Sequence, residues 1–89
     1  MDWNDYKGFI IRMGRTIQTP HGVIRLEYKG GGIYRAPLPW SPDRDYVVFH
    51  DRQQTQFKVV LKHGKRGDVI GIGKDLDEVC EIILAHAEY

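Results

Sequence analysis

The sequence predicts an α+β fold in which an antiparallel sheet of five or six strands packs one face against a single C-terminal α-helix. Most of the chain alternates apolar and polar side chains, which is typical of half-buried strands. Glycine and proline clusters separate the alternating runs. The apolar period lengthens to about 3.6 residues only after Gly73. The chain has 89 residues and no internal repeat, so we expect one domain, residues 1–89.

The first strands are predicted from two alternating runs joined by a turn. Residues 9–13 alternate, and this strand can continue to Thr19 after a bend at Gly14. Residues 20–22, Pro-His-Gly, are typical of a turn. The next run, 23–29, has the cleanest alternation in the chain. Its apolar side holds Ile24, Leu26 and Tyr28, and its charged side holds Arg25, Glu27 and Lys29.

The middle of the chain predicts a short strand, a proline-rich segment and a hairpin. Three glycines at 30–32 interrupt the sheet before a third strand at 33–38. Residues 36–43 include three prolines, which lack the amide hydrogen that an interior strand donates, so we expect a loop or a sheet edge there with Trp40 in it. The hairpin has strands at 46–50 and 57–63, and 69–72 is a last short strand. The second hairpin strand alternates Phe57, Val59 and Leu61 with Lys58, Val60 and Lys62.

The helix is predicted from an apolar stripe near the C-terminus. Asp75 can cap its first turn, and Glu78, three residues later, completes a capping box. The stripe comprises Leu76, Val79, Cys80, Ile83 and Ala87.

The formal net charge of +1 conceals a segregation of charge along the chain. Residues 6–66 hold twelve Lys and Arg against four acids, whereas the remainder holds one base against eight acids. The middle of the chain is therefore basic and its ends are acidic.

A cationic sheet face follows if the helix covers the apolar side of the sheet. That face would present Arg12, Arg25, Lys29, Arg35, Lys58 and Lys62, with Lys65 and Arg66 in the adjoining turn. Basic residues can neutralise the phosphates of a nucleic acid, and aromatic rings among them can stack on its bases. We expect Trp40 to be exposed, together with Tyr46 on the side of its strand opposite Phe49. Two simpler interpretations stay open: the basic residues only solvate the sheet, and Trp40 only closes one end of the core.

The candidate chemical groups favour a protein that is not an enzyme and that needs no metal or cofactor. His50 and Asp51 are adjacent in a strand and therefore point to opposite faces. Cys80, the one cysteine, lies on the core side of the helix, where burial raises the pKa of a thiol. The glycines and lysine at 71–74 lack the other residues of a phosphate-binding loop.

The C-terminal half resembles two related types of DNA-binding domain. From Asp45 onward the order is two strands, a basic Gly-Lys-Arg turn at 64–66, a short strand and a helix opening with Asp-Leu-Asp-Glu-Val at 75–79. This order is similar to the plant ethylene-response-type domain and to the arm-binding domain of phage integrases, which lay a three-stranded sheet in the major groove. The resemblance implies DNA contacts from Arg52, Lys58, Lys62, Lys65 and Arg66.

Two functions of different classes follow from these features. The first is a binding module whose basic sheet face engages nucleic acid or a nucleoprotein surface. The alternative is a small phage or mobile-element type effector that binds and inhibits host machinery, for example against defence systems. It would act through Trp40, Tyr46 and the helix acids, among them Asp77 and Glu81. Homodimerisation through an edge strand is compatible with either function.

Location is predicted from composition. No apolar run approaches the ~20 residues that span a bilayer. Residues 1–8 lack the basic and apolar regions of an export signal. A single cysteine fits a reducing compartment. We therefore expect a cytoplasmic protein without a membrane partner.

Overall fold

The computed structural model describes residues 15–87, which form six β-strands followed by one α-helix. The elements are β1 (Arg15–Thr19), β2 (Gly22–Gly30), β3 (Ile33–Pro37), β4 (Arg44–Asp51), β5 (Gln56–His63), β6 (Arg66–Gly73) and α1 (Leu76–Ala87). The predicted α+β class, an antiparallel sheet with one C-terminal helix, is confirmed. The strand predicted at 9–13, and Arg12 with it, lies outside the described residues.

The six strands form one sheet in which each strand pairs antiparallel with the next one in sequence. The register places Tyr34 beside both Tyr28 and Val48, and Val48 beside Val59, so that apolar side chains line up across the sheet. All the side chains that the alternation assigned to the helix-facing side lie in or against the core. They are Ile24, Leu26, Tyr28, Phe57, Val59 and Leu61.

The sheet is curved around the helix. α1 packs most extensively on β6 and also contacts β5 and β1, although β1 and β6 are the two outermost strands of the sheet. A flat sheet of this size would be about 24 Å wide at ~4.8 Å between strands, more than twice the ~10 Å diameter of a helix. The helix therefore touches both edges only because the sheet bends toward it. The face on α1 is concave, and the opposite face is convex.

The helix begins at the predicted capping box. The Asp75 carboxylate accepts a hydrogen bond from the Glu78 amide at 2.9 Å. The Glu78 carboxylate accepts one from the Lys74 amide at 2.6 Å, one residue before the cap. The backbone amides of Lys74 and Glu78 thus both have carboxylate acceptors.

The proline-rich segment joins two interior strands and forms no sheet edge. Pro37 ends β3 and pairs with Asp45 of β4, whereas the pairing of β3 with β2 ends at Arg35. The Leu38 amide donates to the Arg44 carbonyl at 3.3 Å, so the ladder to β4 continues around the proline. Because the β2 ladder stops before Pro37, its missing N–H leaves no gap in the sheet.

Candidate functional site

The convex face of the sheet, which we call the open face, is formed by alternate residues of β2–β6. It comprises odd-numbered residues 23–29, 33–37 and 45–51, even-numbered residues 56–62, and residues 67, 69 and 72. These side chains point away from α1 because successive residues of a strand face opposite sides. Most of them are exposed.

The structure places five of the predicted basic residues together on the open face: Arg25, Lys29, Arg35, Lys58 and Lys62. Lys65 and Arg66 lie at the β5–β6 turn, where both are exposed. Arg66 pairs with His63, so it is on the other side of the sheet from Lys62. The turn residues therefore extend one end of the sheet and do not enlarge the open face.

Ion pairs occupy two of the five basic residues. Lys29 Nζ lies 3.1 Å from Glu27 Oε2. Arg35 donates to Asp45 Oδ2 from Nε at 3.0 Å and from Nη2 at 2.7 Å. The other three basic residues have no carboxylate within 4.0 Å among residues 15–87. These free cations are Arg25, Lys58 and Lys62.

An apolar strip crosses the open face beside these cations. Phe49 is 42% exposed and Ile72 is 53% exposed. In the register, Lys58 pairs with Phe49 on one side and with Ile72 on the other. Val69, 57% exposed, lies nearby on β6. Since an open sheet face surrounded by water gains nothing by exposing large apolar groups, this strip is a candidate contact surface.

The expectation for the two rings of β4 was wrong. Tyr46 is 2% exposed and lies in the core, whereas Phe49 is on the open face. Tyr46, Val47 and Val48 are buried in succession, so the apolar run has no alternation from which its faces can be read. His50 takes the inner position beyond Phe49 and stacks on Phe57, with ring centroids 4.2 Å apart.

The Tyr46 hydroxyl is part of the core and is unsuited to a binding surface. It shares a hydrogen bond of 2.9 Å with His86 Nδ1 at the end of α1. Burial raises the pKa of Tyr46 above its usual value, and the nearby Arg44 charge opposes this only in part. The hydroxyl thus stays neutral and fixes the last turn of the helix against β4.

Trp40 is 36% exposed, as predicted. Its ring centroid lies 5.6 Å from that of His21. A small crevice opens beside the indole between the β3–β4 segment and the end of α1. The crevice is lined by His21, Leu38, Trp40, Arg44, Tyr46, His86 and Ala87.

The predicted protein-binding residues do not form one surface. Asp77 is paired with Arg15 at 3.1 Å, and Glu81 is exposed on the helix. Trp40 lines the crevice together with Ala87, the last residue of α1. Ala87 lies about 15 Å from Asp77 along the helix axis, at ~1.5 Å per residue, so Trp40 and Asp77 are at opposite ends of α1. With Tyr46 buried, Trp40 and the helix acids are separate features.

The side chains that could carry chemistry are dispersed. His50 faces the core and Asp51 is exposed on the open face. Burial raises the pKa of the Cys80 thiol, which packs against the core. Within residues 15–87 there is no group of three side chains arranged to hold a metal ion. No helix in this part of the chain has the length and hydropathy needed to cross a bilayer.

No protein-family model, curated protein or solved structure matches this chain. The order β4, β5, β6 and α1 is the one on which the resemblance to DNA-binding domains rested. In this protein the sheet continues through β1–β3, and the helix contacts β1 as well. The resemblance therefore stays a prediction.

Proposed function

We propose that this protein is a non-enzymatic module that binds nucleic acid through the open face of its sheet. The observation that carries the proposal is Lys58, whose amine has no carboxylate within 4.0 Å among residues 15–87 and which lies in the register between two exposed apolar residues, Phe49 and Ile72. An amine with no carboxylate partner is available to a phosphate, and neighbouring apolar groups add contact with sugars and bases. Lys62, on the same side of β5, adds a second amine, and Arg25 on β2 adds a guanidinium.

The paired basic residues are expected to contribute unequally. Lys29 and Glu27 are both about half exposed, and such a pair contributes only ~0–1 kcal/mol, so Lys29 can turn toward a phosphate. Because Glu27 stays beside it and offsets its charge, Lys29 is expected to add little to the salt dependence. Arg35 differs because its partner Asp45 is only 16% exposed. Leaving that carboxylate without a donor costs more, so Arg35 is expected to stay with Asp45.

Salt dependence tests the proposal quantitatively. Three phosphate contacts, from Arg25, Lys58 and Lys62, predict a slope of log K against log salt of about −2 for single strands and about −2.7 for duplex DNA. The measurement is fluorescence anisotropy with labelled single-stranded DNA, duplex DNA and RNA between about 50 mM and about 200 mM salt. No binding to any of the three at the lowest salt concentration would refute the proposal.

Neutralising variants locate the interface. The double variant Lys58→Gln/Lys62→Gln should flatten the single-strand slope from about −2 to about −0.7, because one of the three contacts remains. Lys74→Gln is the matched control, since Lys74 is exposed, precedes α1 and is not on the open face. Equal losses in the control and the double variant would show that binding is not confined to the open face.

Protein binding through Trp40 is the second candidate function. Its support is the exposed indole of Trp40 beside the crevice. Under the nucleic-acid proposal, Trp40→Ala should leave nucleic-acid affinity unchanged. A large loss of affinity in Trp40→Ala would move the interface from the open face to that end of the molecule.

A further inference from the structure

A depression on the open face lies at the end of the β4–β5 hairpin. It is lined by Phe49, His50, Asp51, Gln54, Gln56 and Lys58. These side chains supply one exposed aromatic ring, one amine, two carboxamides and one carboxylate. Such a set matches the parts of a nucleotide: a flat base, a polar base edge and a phosphate.

The aromatic ring can serve as the stacking surface. Phe49 projects from the open face with Ile33 on one neighbouring strand and Lys58 on the other. Its ring is 42% exposed and has no aromatic partner among the described residues. An unstacked base can cover such a ring whatever its identity, because every base has a π face.

The hairpin turn supplies groups for the edge of the base. Gln56 Nε2 donates to Gln54 Oε1 at 2.6 Å, which orients both carboxamides and leaves further donor and acceptor capacity on each. Asp51 Oδ1 accepts the amides of Gln53 and Gln54 at 3.0 and 3.2 Å. The second carboxylate oxygen, Oδ2, has no partner among residues 15–87 and can accept from a base N–H.

The residue placed to contact the phosphate is Lys58, on the neighbouring strand β5. Lys58 pairs with Phe49 in the register, and paired side chains on one face lie about 5 Å apart at Cβ. Lys62 is on the same side of β5, about 14 Å further along at ~3.4 Å per residue. A nucleic-acid strand with one base on Phe49 can therefore follow β5 with its backbone over both amines.

We infer that this depression binds a nucleobase of single-stranded nucleic acid, with the base stacked on Phe49, its edge at Asp51 and Gln56, and its phosphate at Lys58. The inference rests on the proposed nucleic-acid function and assigns the class of ligand. Bases in a duplex are already stacked and paired, so they can cover Phe49 only after unstacking, which costs a few kcal/mol. Single strands are therefore preferred over duplexes.

The test compares one labelled oligonucleotide of about 12 nucleotides, within the ~4–16 typical of such sites, with its own duplex. Single strands should bind at least about tenfold more tightly than the duplex, which corresponds to the unstacking cost at ~1.4 kcal/mol per tenfold. Phe49→Ala should weaken single-strand binding by about 5-fold to about 140-fold, the ~1–3 kcal/mol of a stacked base. Its salt slope should be unchanged, because no charge is removed.

Matched variants separate stacking from general surface loss. Phe49→Tyr keeps an aromatic ring and should retain binding within about twofold, since stacking contributes through the ring. Val23→Ala removes an equally exposed apolar side chain, 42% exposed, from β2, which lies three strands away from Lys58 in the sheet, and it should have little effect. Phe49 is on the surface, so these variants should fold, which thermal melts can verify.

The outcomes distinguish the inference from the function on which it rests. Equal affinity for duplex and single strand, or full binding by Phe49→Ala, would overturn the nucleobase site while the salt-dependent function stands. Absence of binding to every oligonucleotide at low salt would overturn both. Weaker single-strand binding in Phe49→Ala, together with unchanged single-strand affinity in Phe49→Tyr, would support the nucleobase site.

Discussion

Replacing Gly71 with alanine is expected to disturb the packing of α1 on β6. A Cβ atom at residue 71 would lie 2.9 Å from Cγ2 of Ile82 and 3.1 Å from its Cδ1. Carbon atoms pack best at ~3.5–4.0 Å, so the two groups must separate by about 0.6–1 Å. The Ile82 side chain is β-branched and has few alternative rotamers. The helix cannot move away easily either, because Val79 and Ile83 on the same helix are completely buried in the core.

The expected loss of stability is moderate but measurable. Overpacking of this kind costs ~1–3 kcal/mol, and alanine otherwise gains ~0.5–1 kcal/mol over glycine in a strand interior. The two ranges combine to a net loss between about 0 and about 2.5 kcal/mol, centred at ~1.3 kcal/mol, against the ~4–13 kcal/mol expected for a chain of this length. With a urea m-value of ~1 kcal/mol/M, the unfolding midpoint should fall by about 1 M.

Urea unfolding followed by circular dichroism measures this change against a control in the same strand. Gly67 faces the open side of β6, where an added Cβ would meet only Val60 Cγ1, at 3.2 Å, and Lys62 Cγ, at 4.0 Å. In Gly67→Ala the ~0.5–1 kcal/mol gain of alanine over glycine is opposed by the close 3.2 Å contact with Val60, so the free energy of unfolding should change by less than about 0.5 kcal/mol. In the double variant Gly71→Ala/Ile82→Ala the clash disappears, so its loss should be smaller than the sum of the single losses by about 1 kcal/mol or more. Strict additivity, or a fully stable Gly71→Ala protein, would refute the packing argument.

Other predictions concern the core and the ends of the helix. Tyr46→Phe removes the hydroxyl that bonds to His86 and should lower the free energy of unfolding by about 1 kcal/mol; an unchanged urea midpoint would contradict this. Burial raises the pKa of Tyr46 above its usual 10.0, so the hydroxyl ionises more easily in the unfolded state than in the folded one. The contribution of Tyr46 to the free energy of unfolding is therefore constant below about pH 10 and falls above it. The alkaline loss should be smaller in Tyr46→Phe. Burial also raises the pKa of Cys80, so iodoacetamide should modify it far more slowly in the folded protein than in urea, and equal rates would indicate an open thiol. Asp75→Ala removes the acceptor for the Glu78 amide and should cost about 1 kcal/mol in thermal or urea unfolding.

The basic part of the candidate site could be predicted because every second residue over 24–28 in β2 and over 57–61 in β5 is apolar and marks the core side. Each apolar residue of 24–28 and 57–61 that the pattern assigned to the core side lies there, which fixes Arg25, Lys58 and Lys62 on the other side. The backbone pleat alone enforces this relation, so it needs no knowledge of distant contacts.

The aromatic part could not be predicted in the same way. The β4 run Tyr-Val-Val-Phe is apolar on both sides, so local pattern does not decide which ring is inside. Two contacts outside the strand decide it, one with the distant helix and one with the next strand. Tyr46 meets His86 of the helix, and His50 stacks on Phe57, which leaves Phe49 on the open face.

Local pattern was enough to predict the elements of this protein, the antiparallel sheet with its terminal helix, and the side on which most basic residues lie. These depend on periodicity and on turn chemistry, which act between near neighbours in the chain. Folding of the whole chain settles which cations are free, since Arg35 meets Asp45 through strand pairing across ten residues. It also decided the curvature of the sheet and the depression beside Phe49. Those depend on register and on contacts between residues far apart in sequence, for which the local pattern carries no signal.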